Sequence, residues 1–253
     1  MTKLSINNVS VLIPAFNAQD TIQRAVDSVL NGGNLPEEII IYDDASTDET
    51  LSVIRGLYGE NDKIKIIPAE SNMGAGIARQ RLLDHASGDL IAFLDADDEW
   101  LVNKLLKQVE IMNSEKTDLC ICGYEIYNSY HQYIGTRVPP KKINYLTMHF
   151  ANWIPTSMVL FRSRLKNSKK MSDLRQRQDY AFWLNLLRSN PKMKISVISA
   201  VLGKYHRRTD SLSSSKLTNL KLNYTVFRTQ TDYNVILSIL LVCANVVTRM
   251  FRT

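Results

Sequence analysis

Between Val9 and Leu94 the hydrophobic positions fall into two alternating patterns. Val9 to Pro14, Glu38 to Tyr42, Ile64 to Ile67 and Leu90 to Leu94 are short, mostly apolar runs, with the length and β-branched content of strands buried on both faces. The stretches between them place apolar residues three and four apart, the spacing of one helix face. Ala18, Ile22, Ala25, Val26, Val29 and Leu30 make the first face, which stops at Gly32-Gly33. Leu51, Ile54, Leu57 and Tyr58 make the second, and Ser46 with Glu49 has the spacing of a capping box ahead of it. Ile77, Leu82 and Leu83 make the third, after the loop Ser71 to Gly76. This alternation predicts an α/β fold with a mainly parallel sheet flanked by helices. Ligands of such sheets bind beyond the carboxyl ends of the strands. Pro14-Ala15-Phe16-Asn17, Asp43-Asp44 and Asp95 to Asp98 all follow strand ends, so they should share one rim.

The second half is less regular. Tyr124 to Tyr133 and Trp153 to Phe161 read as strands, Gln178 to Arg188 as a helix, and Val197 to Tyr205 as one or two short strands. A polar loop from Arg207 to Lys216 precedes two C-terminal segments, so the pattern predicts one unit over residues 1–215 and a helical extension over 216–253. Within the extension, Val235 to Val247 is almost continuously apolar for 13 residues, too short to span a bilayer comfortably.

The fourth apolar run ends in Asp95-Ala96-Asp97-Asp98-Glu99. Clustered carboxylates raise one another's pKa and repel unless a cation sits among them. Hard oxygen ligands suit Mg²⁺ or Mn²⁺, which are commonly shared with substrate phosphates. The competing reading is that these acids begin a helix, where they would favour the first turn.

Charge divides the chain in two. Residues 1–140 hold 11 Lys and Arg against 21 Asp and Glu, whereas residues 141–253 hold 20 against 4. The acidic half suits a cation; the basic half suits an anionic partner such as nucleic acid, an anionic membrane surface or a phosphate-bearing acceptor. The three cysteines are too few for a disulfide framework, and Cys120 and Cys122 read as small core residues of a reduced cytoplasmic protein. The N-terminus has no long apolar stretch of the kind a secretory signal carries.

VSVLIPAFNA, IIIYDDASTDET, SNMGAGIAR and GDLIAFLDADDEW, in this order and spacing, resemble the inverting family 2 glycosyltransferases of the GT-A (Rossmann-like) fold. The likeness covers roughly residues 8–210. It implies a nucleotide-binding part over about 8–125 and an acceptor-binding part over about 126–215. It also implies a surface-polysaccharide enzyme moving a hexose or N-acetylhexosamine from a nucleotide sugar, a UDP-sugar above all, to a saccharide or lipid-linked saccharide. Pro14, Ala15, Phe16, Asn17, Asp44, Gly74, Arg79, Asp95 and Ala96 would hold the donor, with Asp44 on the uracil, Asp95 on the ribose and Asp43 ordering the turn. Gly74 and Gly76 would let backbone approach the nucleotide closely. Asp97, the last acid of the DXD motif, would ligate Mn²⁺ or Mg²⁺. The family carries its catalytic base at the start of a later helix, where RQDYAFWL supplies Asp179, with Gln178 in place of the usual Glu. Gln80 likewise stands where the family often has Asn. Tyr205 to Ser213 resembles the loop that closes over the diphosphate, with His206 as a second metal ligand and Arg207 and Arg208 on phosphate. The extension would either pack on the enzyme, form a dimer contact or lie on the inner face of the cytoplasmic membrane.

Three other classes fit less well. A nucleotidyltransferase would carry a Gly-rich basic loop after the first strand, and Pro14 to Ala18 has neither glycine nor a basic residue. A receiver domain places its acid pair after the first strand and is about half this length. A nucleic-acid-binding module would leave the acidic rim unexplained.

Overall fold

The computed structural model describes residues 4–250 apart from 169, 173, 208–215 and 232. Its centre is a nine-stranded sheet. Strands β1 (Val9–Ala15), β2 (Glu38–Asp43), β3 (Ile64–Pro68) and β4 (Leu90–Phe93) are parallel, in the order β3-β2-β1-β4. β5 (Glu99–Trp100) is a two-residue strand, and β6 (Leu119–Tyr127) turns back into β7 (Tyr133–Arg137). β8 (Val159–Arg162) runs antiparallel between β4 and β6, and β9 (Ile195–His206) runs parallel to β6 and antiparallel to β5.

The period of two sets the layers. Val11, Ile13, Ile39 and Ile41 point into one core with α1 (Ile22–Leu30), α2 (Thr50–Tyr58) and α4 (Lys104–Glu115). Leu12 and Ile40 point into the other, with α3 (Ala75–His85), α5 (Tyr145–Met148) and α6 (Gln178–Ser189). Both faces are therefore covered, which is why these strands are continuous apolar runs rather than alternating ones. α1 buries Ile22, Ala25, Val26 and Val29, and each large aliphatic side chain so buried contributes about 1.5–3 kcal/mol.

Two local expectations are corrected. α2 begins at Thr50, and Ser46 makes no capping box; its hydroxyl donates to Asp43 Oδ1 at 2.5 Å instead. The strand expected over Tyr124 to Tyr133 starts earlier, at Leu119, and breaks at a turn, because Tyr130 N–H and Gln132 N–H both donate to Asn128 Oδ1. Cys120 and Cys122 are buried in β6, and burial pushes their thiols up to about 11 and about 12, so they stay neutral core residues.

The C-terminal segments form α7 (Lys216–Thr229) and α8 (Val235–Met250). Val226, Phe227 and Val242 share one core with Tyr180 and Trp183 of α6, so this extension packs on the main unit. Tyr233, in the link between the two helices, is bonded through its hydroxyl to Tyr145 and to His149, each at 2.9 Å. Among the described residues no helix is long and apolar enough to cross a membrane.

Candidate active site

Strand register gathers the rim. Asp44 N–H donates to the Ala15 carbonyl at 2.8 Å, and Leu94 N–H donates to the Leu12 carbonyl at 3.0 Å, so the ends of β1, β2 and β4 lie side by side. The Pro14–Asn17 turn is tied to the β2 end: Asn17 N–H donates to Ser46 Oγ at 3.0 Å, and Thr47 N–H donates to Asn17 Oδ1 at 2.9 Å. Asn17 has φ +47°, a conformation Asn tolerates better than most residues. Ala15 is buried in the strand, whereas the Phe16 ring is 42% exposed at the rim.

The two acids at the end of β2 divide their roles. Asp43 accepts from Ser46 N–H and Ser46 hydroxyl and orders the turn. Asp44 accepts from Met73 N–H at 3.0 Å and Gly74 N–H at 2.8 Å, so its carboxylate fixes the loop ahead of α3. Gly74 has φ +89°, which glycine adopts without strain, and a Cβ there would meet open space.

Gly76 answers a different need from the one its motif suggested. A Cβ on it would lie 2.3 Å from the Ser172 carbonyl oxygen and 3.3 Å from Gln178 Cβ. It admits the segment leading into α6. Gln80 reinforces this contact by accepting from Met171 N–H at 2.9 Å. Gly76→Ala should therefore destabilise the fold. Overpacking costs about 1–3 kcal/mol, more than the ~1 kcal/mol that alanine gains over glycine in a helix. A lowered thermal midpoint, with turnover falling further than stability does, is the expected result; an unchanged midpoint would remove the argument.

The carboxylates after β4 do not begin a helix. α4 starts at Lys104, with Asn103 before it, and no acid caps it. Instead Asp98 N–H bonds the Asp95 carbonyl at 3.0 Å in a tight turn whose Ala96 is buried. Because β8 runs antiparallel to β4, its leading residues arrive at this turn. Ser157 Oγ donates to Asp98 Oδ2 at 2.5 Å and accepts from Asp95 N–H at 3.1 Å. Asp98 is 1% exposed; burial and the neighbouring Asp97 and Asp95 charges raise its pKa well above the usual carboxylate value. Arg24 Nη2 donates to the Asp97 carbonyl at 2.9 Å. Glu99 pairs with Arg24 at 3.2 Å, Lys204 at 3.3 Å and His206 at 2.8 Å. Burial opposes its charge, but the three partners outweigh burial and keep its pKa low.

Arg79 is 6% exposed and pairs with Asp95. Burial opposes its charge, yet Asp95, Asp179 and Asp97 together raise its pKa. Among the described residues its Nε and Nη1 have no partner. A cavity of about 290 Å³ is lined by Arg79, Asp95, Thr156, Arg177, Gln178 and Asp179 among others. The acid expected as base thus shares one cavity with the acid expected on the ribose. Asn152 Nδ2 donates to Asp179 Oδ2 at 3.0 Å, which orients the carboxylate. Thr156 Oγ1 and Gln178 Oε1 are also buried without partners.

His206 does not stand as an isolated ligand. The β5–β9 pairing delivers it to Glu99, and its ring stacks on Tyr127 at 5.2 Å. Burial, then Arg24, lowers its pKa, which favours the neutral ring. With Nε2 at Glu99, its buried Nδ1 has no partner among the described residues. Among the described residues no three His, Cys, Asp or Glu side chains are grouped to hold a metal by themselves. A cation shared with a diphosphate needs only one or two protein ligands. A half-buried Asp97 and a neutral His206 Nδ1 have donor chemistry that fits such an ion, with Glu99 in the role of outer-shell orienter. Arg207 is exposed, with its N–H on the Tyr127 carbonyl at 2.9 Å; Arg208 lies outside the described residues.

Sequence reasoning missed Ser157, Thr156 and Asn152. The polar pair Thr156-Ser157 interrupts an apolar run from Trp153 to Phe161, and that interruption was the available signal.

Residues 10–166 match the family described as Glycosyl transferase family 2. The chain is 33% identical over 220 residues to the Escherichia coli protein named UDP-Glc:alpha-D-GlcNAc-diphosphoundecaprenol beta-1,3-glucosyltransferase WfgD, covering 86% of this chain and 84% of that one. It is 34% identical to WfaP of the same organism and description, over 84% and 82% of the two chains. Residues 1–349 of S. aureus TarS, solved in complex with UDP-GlcNAc, superpose with a TM-score of 0.69 at 19% identity, over 96% of this chain and 72% of that one.

Proposed function

On the premise that the chain belongs to glycosyl transferase family 2, and is a glycosyltransferase, we propose that it is a metal-dependent inverting enzyme. It moves a hexose or N-acetylhexosamine from a UDP-sugar to a hydroxyl of a lipid-linked saccharide in surface-polysaccharide synthesis. The observation that carries this reading is the single cavity shared by Asp95, Arg79 and Asp179. The names of WfgD and WfaP, with a UDP-Glc donor and a diphosphoundecaprenol-linked acceptor, support the substrate classes.

The donor lies along the rim formed by Pro14–Asn17, Asp44, Gly74 and Asp95. Asp95 accepts from the ribose while Arg79 holds that carboxylate in place. Asp97 and His206 would hold the divalent ion, which would supply Lewis-acid stabilisation of the diphosphate leaving group. Asp179 takes the proton of the acceptor hydroxyl. The acceptor oxygen then bonds to the anomeric carbon as its bond to the diphosphate oxygen breaks, and UDP leaves with the configuration inverted. Buried as they are, Thr156 Oγ1 and Gln178 Oε1 have no protein partner among the described residues, and sugar or acceptor hydroxyls would satisfy them.

Incubation with a panel of UDP-sugars, Mn²⁺ and a GlcNAc-diphospholipid acceptor tests the reading. Release of UDP with a new β-linked disaccharide lipid is expected. Chelator should abolish release, and Mn²⁺ or Mg²⁺ should restore it. Turnover that survives exhaustive chelation would overturn the metal assignment, and a retained α linkage would overturn the single-base mechanism.

A further inference from the structure

α8 turns polar residues inward beside Val242 and leaves an aliphatic stripe outward. Ser238 and Asn245 face inward at 0% and 4% exposure, and Asn245 bonds the His149 carbonyl at 2.9 Å and Asn223 at 3.2 Å. Ile236, Ile239, Leu240 and Val247 face outward at 71%, 49%, 60% and 52% exposure. With exposed Cys243 they follow the i, i+3, i+4, i+7, i+11 spacing of one helical stripe. Isolated exposed aliphatics are ordinary, but a contiguous stripe marks a contact surface.

The composition selects the partner. Protein–protein interface cores are enriched in aromatic residues, Met and Arg, whereas this stripe carries none among its described side chains. α8 is 16 residues long and bears no acidic residue. It belongs to the half of the chain with 20 Lys and Arg against 4 Asp and Glu, and Lys221 and Arg228 of α7 are exposed nearby in sequence. An aliphatic face on a basic background is the pattern of a helix lying in an anionic lipid interface.

We propose that the outer face of α8 docks on an anionic membrane surface. α7, the helix packed against α8, reaches the catalytic cavity: its Leu222 lines it, and its Asn219 accepts from Arg177 at the start of α6. Docking through α8 would keep the enzyme at the surface that carries a lipid-linked acceptor, a consequence that rests on the glycosyltransferase reading above.

Flotation of the full chain with vesicles of phosphatidylglycerol and phosphatidylcholine tests the docking, against phosphatidylcholine alone and against the triple variant Ile236→Gln, Ile239→Gln, Leu240→Gln. All three side chains are exposed, and the variant should keep its thermal midpoint. Expected results are binding to anionic vesicles that weakens in high salt, and a loss of about tenfold or more in the variant. Failure of the native chain to float, or equal flotation of the variant, overturns the proposal. A native dimer that floats with neither vesicle and becomes monomeric in the triple variant also overturns it, in favour of a second copy as occupant. UDP release with a soluble short-chain acceptor separates the two readings. Normal release without flotation sinks the membrane inference alone, and flotation without release sinks the catalytic reading alone.

Discussion

Asp179→Asn should lower kcat by about 10²–10⁴-fold, the usual worth of a positioned general base, while leaving donor affinity nearly unchanged. The substitution is isosteric. It keeps an oxygen that can accept the 3.0 Å hydrogen bond from Asn152, so the start of α6 should stay in place. What it removes is the capacity to take a proton. Asp179 is also one of only four acids after residue 140, and the other three, Asp173, Asp210 and Asp232, lie outside the described residues. Substitution by Glu would move the carboxylate by one methylene and should recover only part of the rate. The check is a pair of measurements on purified protein: steady-state UDP release, and donor titration by thermal shift with Mn²⁺. A ligand that binds only the folded state raises the midpoint, so retained donor-induced stabilisation with lost turnover identifies a defect in chemistry. If Asp179→Asn turns over within threefold of the native rate, the base lies elsewhere.

The sequence carried the rim well and its supports poorly, for a physical reason. Strands buried on both faces must be continuous apolar runs, so β1, β2 and β4 and the polar residues that end them were visible directly. The helix that carries Asp179 was also visible, because Tyr180, Trp183, Leu184 and Leu187 recur at helical spacing. Contacts made across the sheet left no local trace. β8 inserts antiparallel between β4 and β6, and that pairing alone brings Ser157 to Asp95 and Asp98, more than fifty residues away in sequence. Glu99 has the composition of a helix-starting acid, yet the β5–β9 pairing makes it the partner of Arg24, Lys204 and His206. Gly76 is the sharpest case. Its motif context pointed to a ligand, whereas the residue that demands its missing side chain is Ser172. Motif spacing names the residues of a site, but sheet order decides what each of them touches.

Arg79→Met should be the most damaging change to stability and donor binding together. Breaking a buried ion pair by removing one partner costs about 3–5 kcal/mol when both charges are desolvated. Here the Asp95 side chain keeps 29% exposure, so the loss should fall near the lower end, about 3 kcal/mol. That is a large share of the 5–15 kcal/mol typical of a folded domain, but it leaves a folded population to assay. The cation also offsets Asp97 and Asp179, so its removal leaves like charges facing one another across the cavity. A second effect is separable. Among the described residues Arg79 Nε and Nη1 are buried without hydrogen-bond partners, an arrangement that is costly unless a partner completes it. A hydrogen bond to a charged group contributes about 1.5–3 kcal/mol, so the loss of even one such bond should lower donor affinity about ten- to a hundredfold. Arg79→Lys keeps the charge without the planar fork, and should recover much of the stability while recovering little of the affinity. Urea unfolding reports the first quantity and donor titration the second. Equal donor affinity in native and Arg79→Met protein would show that these two nitrogens serve the fold alone.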